Sequence, residues 1–416
     1  MDLSGPLSFV HRHIWQRLPR EWRRLALFQA TAWSAPRPAA DVVAALPIIV
    51  AGALRTASGL GESARLCHDA LKAAGLPVFG IDLTAGLMQP EDDAGFAFAD
   101  GRHLTGRGTL VLHVNSPLVP LAMMRLGRAI VHQKRIIGCW AWELPGVPAD
   151  WHHGIPFVHE IWAPSRFTAE AIEPIAAGRP VRVLPYAVAL KSPLVAEHAS
   201  TGASHGPGMG ERPFTVLTIF NTASSFSRKN PLATIAAFRR AFDGDPSARL
   251  IVKTFNLSSY PQASSLIRDA IGSADNIVII EQMLSASAIS DLFSRADVVM
   301  SLHRSEGFGL TLAEGMLHAV AVVGTDWSGN HDFLTAQTGV PIPFRLVPAE
   351  DPQGTYNYPG MSWAEPDVEV AALALQRLRD APELRRGLGQ AAARFAATTW
   401  SADAYSRAVQ SYLGVQ

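Results

Sequence analysis

Ser301-Leu302-His303-Arg304-Ser305-Glu306-Gly307-Phe308-Gly309-Leu310-Thr311-Leu312-Ala313-Glu314-Gly315-Met316 decides how this chain is read. An apolar strand, Asp297 to Leu302, runs into a loop carrying Glu306, Gly307 and Gly309, and a helix opens near Leu310 with Glu314 on its first turns. Two carboxylates eight residues apart, one before a helix N-terminus and one just inside it, can grip two separate hydroxylated pieces of one ligand. The glycines between them let backbone N–H groups close on an anion, and the helix dipole favours negative charge there. A nucleotide sugar, with its sugar, phosphates and ribose, fits such a loop. For an isolated pair of glutamates the competing reading is a plain strand–helix turn with solvated carboxylates.

Outward from this loop the chain alternates strand and helix. Upstream, Pro47 to Gly52 reads as a buried strand, followed by a loop with Gly59 and Gly61 and a helix from Glu62 to Ala74. Further short apolar runs of parallel-strand type fall at Pro77–Ile81, Thr109–Val114, Arg135–Cys139, Glu160–Ala163 and Val181–Leu184. Residues 187–212, rich in Gly, Ser and Pro, break the pattern. A second series begins at Phe214–Phe220, continues through a Pro231–Phe242 helix and strands at Leu250–Thr254, Ile277–Ile280, Val298–Leu302 and Ala321–Gly324, and turns helical after Asp367. Such alternation predicts α/β architecture with two Rossmann-like domains facing across a cleft. The expected division is 1–40 as a basic amphipathic N-terminal extension, 41–190 as the first domain, 191–212 as linker, 213–398 as the second domain and 399–416 as a C-terminal helix.

The composition narrows the function classes. With 416 residues, 48% hydrophobic, 17% charged and net charge +0, the chain is long enough for two full cores and lacks the basic surplus of a nucleic-acid binder. Cys67 and Cys139 are expected to be two buried thiols in a reducing compartment, and no Cys/His spacing suits zinc. The longest strongly apolar run, Val42 to Leu54, has 13 residues and contains Pro47, too short to span a bilayer. No cleavable signal pattern follows Met1, so a cytoplasmic protein is expected. Arg12, Arg17, Arg20, Arg23 and Arg24, interleaved with Trp15, Leu18, Trp22 and Leu25, could lay residues 10–28 on an anionic membrane surface or pack an apolar stripe on the first domain.

Three further features bear on the ligand. Ser224-Ser225-Phe226-Ser227-Arg228-Lys229-Asn230-Pro231 follows the first strand of the second half, and two adjacent cations with hydroxyl neighbours ahead of a helix suit a diphosphate. Lys253 ends an apolar strand, an awkward place unless it points toward an anion. Gly59-Leu60-Gly61-Glu62-Ser63 is a fragment of a phosphate-binding turn. Glu143 sits between Trp142 and Leu144 after an apolar strand, a costly position for a carboxylate without a role. Asp243-Gly244-Asp245 has the form of a short acidic metal motif but lies past the Pro231–Phe242 helix, and reads as a turn.

Together, Arg228-Lys229-Asn230-Pro231, Lys253, Glu306-Gly307-Phe308-Gly309 and Glu314 resemble the family-four retaining glycosyltransferases (glycosyltransferase group 1) with the GT-B fold, over roughly residues 46–400. Trp140-Ala141-Trp142-Glu143-Leu144, Trp162-Ala163-Pro164-Ser165, Ser328-Gly329-Asn330 with Asp332, and Trp363-Ala364-Glu365-Pro366 are similar to the bacterial polysaccharide and lipopolysaccharide type. The resemblance implies a C-terminal helix returning to the N-terminal domain, an acceptor-binding first domain and a nucleotide-sugar second domain. It implies that Glu306 binds the transferred sugar, Glu314 the ribose, and Arg228, Lys229 and Lys253 the diphosphate, with Ser225, Gly61 and backbone at Gly307, Phe308, Gly309 and Leu310 on the donor. His113 or Asn115 would occupy the position where related enzymes carry an active-site histidine. Glu143 is expected on the acceptor side, with Trp140 or Trp142 as a sugar-stacking platform or as packed wall. The expected reaction is metal-independent hexosyl transfer without a cofactor. GDP-mannose is the preferred donor and a glycan or lipid-linked saccharide the acceptor. A UDP-sugar transferase, a phosphorylase or epimerase of the same fold, and a catalytically silent scaffold are the alternatives.

Overall fold

The structure is a computed structural model that describes residues 28–92, 95–190 and 212–415. The basic segment expected at a membrane surface lies outside the described residues except Phe28, and so do residues 191–211 of the linker.

The apolar runs become two parallel sheets of six strands each. In the first, β1 (Ile48–Gly52), β2 (Val78–Asp82), β3 (Gly108–His113), β4 (Lys134–Cys139), β5 (Glu160–Ala163) and β6 (Val181–Val183) lie in the order β2-β1-β3-β4-β5-β6. In the second, β7 (Phe214–Asn221), β8 (Ala248–Phe255), β9 (Ile277–Ile280), β10 (Val298–Ser301), β11 (Ala321–Thr325) and β12 (Val340–Ile342) lie in the order β9-β8-β7-β10-β11-β12. Every residue of β1, β3 and β11 is buried, which is why these strands are continuous apolar runs rather than alternating ones. The expected α/β GT-B architecture is what the chain adopts.

Each order reverses at one place, and there the crevice for a ligand forms. In the second sheet the reversal falls between β7 and β10. The C-terminal ends of those two strands carry the Arg228-Lys229 turn and the Glu306 loop. Topology alone therefore brings together residues 77 positions apart. In the first sheet the reversal is between β1 and β3, which places the Gly59–Ala73 helix and His113 at the edge of the same cleft.

A small antiparallel pair was not anticipated: β13 (Phe344–Pro348) and β14 (Ser362–Pro366) form a hairpin in register Phe344↔Pro366 to Pro348↔Ser362. Its loop, residues 349–361, reaches the first domain. The final helix, Ala402–Leu413, also crosses to that domain: Ser406 Oγ donates to Ala70 O at 3.0 Å, and Tyr412 OH to Val183 O at 3.0 Å. Tyr405, Val409 and Leu413 pack there with Ala64, Cys67 and Leu71 of the Gly59–Ala73 helix. Cys67 and Cys139 are both buried free thiols.

The two halves touch at the cleft. Ser165 Oγ, which also caps the Arg166–Ile172 helix, donates to Gly307 O at 2.7 Å. Arg166 pairs with Asp332 at 2.9 Å, and Tyr186 lies on Phe308 with ring centroids 5.0 Å apart.

Candidate active site

The Glu306 loop is shaped by the turn that follows β11. Ser328 Oγ accepts from Glu306 N at 2.8 Å, and Gly329 N donates to Glu306 O at 2.8 Å. A side chain on Gly329 would meet Gly307 O at 2.3 Å, so only glycine lets the two turns stack. Gly309 has φ +103 and caps the Leu310–Leu317 helix. His303 is fully buried, bonded through Nε2 to Asn330 Oδ1 (2.8 Å) and through Nδ1 to Ser301 Oγ (3.0 Å). The Ser-Gly-Asn motif is thus the backing of the loop.

Glu306 faces both expected cations. Lys229 Nζ lies 2.5 Å from Oε1, and Arg228 lies 3.1 Å from Oε2. Burial raises the Glu306 carboxyl, but Lys229 and Arg228 outweigh it and take it from 4.5 to about 2. Burial lowers Lys229 below its usual value, partly offset by Glu306. Arg228 stays charged: burial opposes its charge, and the Tyr356, Glu306 and Glu143 neighbours override that. Its guanidinium also donates to Ser305 O (2.7 Å) and Ser224 O (2.9 Å). Arg228 Nε, Asn230 Nδ2 and Ser305 Oγ are buried polar atoms without a partner among the described residues.

Ser225 sits at φ +70, a left-handed conformation costing about 1–3 kcal/mol for a residue with a side chain. Two bonds hold it there: its hydroxyl donates to Asp351 Oδ1 (2.9 Å) and accepts from Arg228 N (3.2 Å). Asp351, 1% exposed, was not singled out in the sequence, and neither was Tyr356. Both come from the β13–β14 loop, whose contacts leave no local pattern.

Glu314 stands apart from this cluster, among Ala189, Leu190, Ala286, Ile289, Ser290 and His318. The two carboxylates thus front different surroundings. Lys253 is not joined to Glu306 or Arg228: its Nζ turns back to Thr254 O at 2.8 Å, 5.1 Å above the Phe255 ring, and burial lowers its pKa. Phe308 is buried between Tyr186, Phe333 and Trp400, so it offers only backbone to a ligand, beside Leu310 at the helix start.

On the first domain, Gly61 N is taken by Ser58 Oγ at 3.1 Å, and a side chain there would meet Thr56 O at 2.5 Å. This glycine serves close packing of its helix on the preceding loop. His113 is buried; Nδ1 bonds Ser63 Oγ (2.8 Å), Nε2 has no partner among the described residues, and burial lowers its pKa to about 3, so the ring is neutral. Asn115 spends both ends of its amide on the Ala141 backbone, at 2.8 and 2.9 Å, clamping the ends of two strands. Trp142 is wedged among Trp151, Tyr356 and Tyr358, with its N–H on Gly146 O. Packed wall is its position here. Glu143 Oε2 accepts from Tyr356 OH at 3.0 Å. Far from all of these, Asp243 pairs with Arg239 and Asp245 with Arg379 and Ser247.

Residues 221–357 match the family model for glycosyl transferases group 1, the segment from the end of β7 to just past Tyr356. No curated protein sequence matches the chain significantly. Among solved structures, sucrose-phosphate synthase from Thermosynechococcus elongatus superposes with TM-score 0.62 at 14% identity, over 88% of this chain and 98% of that one. Anabaena HepE, solved with UDP and glucose, gives 0.58 at 12% identity, over 88% and 99%. Staphylococcus aureus TarM, solved with UDP and an α-GlcNAc-glycerol, gives 0.53 at 11% identity over 74% of this chain; the chain spans 55% of TarM's length. Residues 221–357 thus carry the sequence pattern of group 1 glycosyl transferases, and the chain as a whole has the GT-B fold of these structures.

Proposed function

We propose that this protein moves a hexose from a nucleotide sugar to a glycan or lipid-linked acceptor, with retention of anomeric configuration, in the synthesis of a cell-surface polysaccharide. The observation that carries the reading is the Arg228–Lys229–Glu306 cluster, built where the strand order of the second sheet reverses. As the glycosidic bond breaks, charge grows on the leaving diphosphate, and preorganised cations there lower the barrier more than they aid ground-state binding. Glu306, held anionic, suits hydroxyls of the transferred sugar, and Glu314 suits the ribose. In a retaining transfer the acceptor attacks the face the diphosphate leaves, so the diphosphate itself can receive the acceptor's proton. On this reading Arg228 and Lys229 take the place of a metal ion, and no cofactor is required.

GDP-mannose is one donor of this kind. A UDP-sugar is a second reading, favoured by the UDP bound in HepE and TarM. Among the described residues no helix is long and apolar enough to cross a membrane. A cytoplasmic enzyme working at the inner face of the plasma membrane fits a lipid-linked acceptor. The test is a thermal-shift panel of UDP-glucose, UDP-N-acetylglucosamine and GDP-mannose, because a ligand that binds the native state raises apparent stability. The donor should raise the melting temperature and release its nucleotide on incubation. A panel in which none does either would overturn the reading.

A further inference from the structure

The β13–β14 loop joins the proposed diphosphate site to the acceptor-side carboxylate. Its first half is fastened to the Arg228-Lys229 turn. Asp351 takes the Ser225 hydroxyl, Gln353 Oε1 accepts from Phe226 N (2.5 Å), and Gln353 Nε2 donates to Thr222 O (3.0 Å). The other oxygen of Asp351 accepts from the backbone of Thr355 (2.9 Å) and Tyr356 (3.3 Å). The carboxylate that keeps Ser225 in its strained conformation therefore also fixes the backbone of Tyr356.

From that fixed backbone the Tyr356 side chain spans the cleft. Its ring lies under the Arg228 guanidinium, 5.4 Å from Cζ to centroid, and against Trp142, 5.5 Å between centroids. Its hydroxyl makes the 3.0 Å bond to Glu143, 213 residues away in sequence. Burial holds the phenol well above its ordinary value, so it remains the donor and Glu143 the acceptor. Because the same Tyr356 ring lies against Arg228, the Glu143 carboxylate is joined through one side chain to the proposed diphosphate site. Among the described residues Tyr356 supplies the hydrogen bond that orients it, leaving Oε1 for another donor.

We propose that Tyr356 is a positioning residue that holds Glu143 toward the acceptor hydroxyl and ties that alignment to the cations on the diphosphate. The proposal rests on the transferase reading above. It accounts for an otherwise unexplained feature: a loop of the second domain that is anchored on the donor turn and ends on a carboxylate of the first.

The test is a double-mutant cycle on the full chain, following release of UDP from UDP-glucose or GDP from GDP-mannose with water as acceptor. Tyr356→Phe keeps the ring on Arg228 and Trp142 and removes only the hydroxyl. It should lower kcat about tenfold, as expected for loss of a hydrogen bond to a charged group, while donor KM stays within about twofold. Glu143→Ala should lower kcat at least as much, and the double variant no further than Glu143→Ala alone, because the two act as one unit. Wild-type kcat in Tyr356→Phe, or a double variant whose loss is the product of the two single losses, overturns the proposal. If the wild-type protein releases nucleotide from neither donor, the transferase reading falls and this proposal with it. Wild-type turnover with an unaffected Tyr356→Phe removes the proposal alone.

Discussion

In a Glu306→Ala variant, Lys229 and Arg228 lose the carboxylate that neutralises them. The side chains of Glu306 and Arg228 are 12% and 3% exposed, and the ion pairs measure 2.5 and 3.1 Å. Removing one member of a buried pair costs about 3–5 kcal/mol, mainly from the uncompensated charge left behind. Lys229 relieves part of this, since burial already lowers its pKa and it can shed its proton. The lower end, about 3 kcal/mol, is therefore expected. At about 2–4 °C per kcal/mol for a domain of this size, the melting temperature should drop by roughly 6–12 °C. Added UDP presents the same two cations with fresh negative charge, so its stabilising effect should be larger in the variant than in the wild type. Transfer should be lost all the same, because alanine cannot bind the sugar hydroxyls. Scanning fluorimetry at matched UDP concentrations, titration calorimetry and a nucleotide-release assay follow the three quantities. Lys229→Ala provides the contrast: it removes a proposed diphosphate contact and should weaken UDP binding about tenfold, or about 1.4 kcal/mol. If Glu306→Ala lost UDP affinity in step with Lys229→Ala, or turned over at the wild-type rate, the assignment of sugar to Glu306 and diphosphate to the cations would be wrong.

Other expectations rest on separate contacts. The depressed Glu306 carboxyl contributes stability that is complete above its unfolded value near 4.5 and is lost as pH falls toward about 2; urea midpoints from pH 5 to pH 2 should therefore fall more steeply in the wild type than in Glu306→Gln. Asp351→Ala frees Ser225 from its left-handed conformation and should weaken UDP binding about tenfold by calorimetry, whereas an unchanged Kd would show that the turn orders itself. Trp400, 2% exposed and enclosed by Phe308, Phe333 and Phe395, should cost about 3–5 kcal/mol when replaced by alanine; a melting curve like the wild type's would contradict that packing.

Much of the fold was legible because parallel strands buried on both faces announce themselves as short apolar runs. Glu160–Ala163 and Ile277–Ile280 fall where the sequence placed them, and the Pro231–Phe242 helix starts at its proline. Convergence of the basic turn and the Glu306 loop followed from their places after two strands of one Rossmann-like half. The hairpin was not legible, since Phe344–Pro348 is largely exposed and carries no continuous apolar run. Nor could local spacing reveal Asp351 or Tyr356, whose partners lie 126 and 213 residues away. Trp142 and Asn115 illustrate the converse problem. A motif marks a residue as constrained, yet the constraint here is a ring sandwich and a clamped strand end.

The chain passes between its halves at several described places. Ala187 packs in the first domain while Val188 packs in the second, Trp400 packs in the second while Tyr405 packs in the first, and the hairpin sends Ala349, Tyr356 and Trp363 into the first domain's core. Val188 and Trp400 belong to one apolar cluster, so a change in that single piece of packing reaches two of these passages at once.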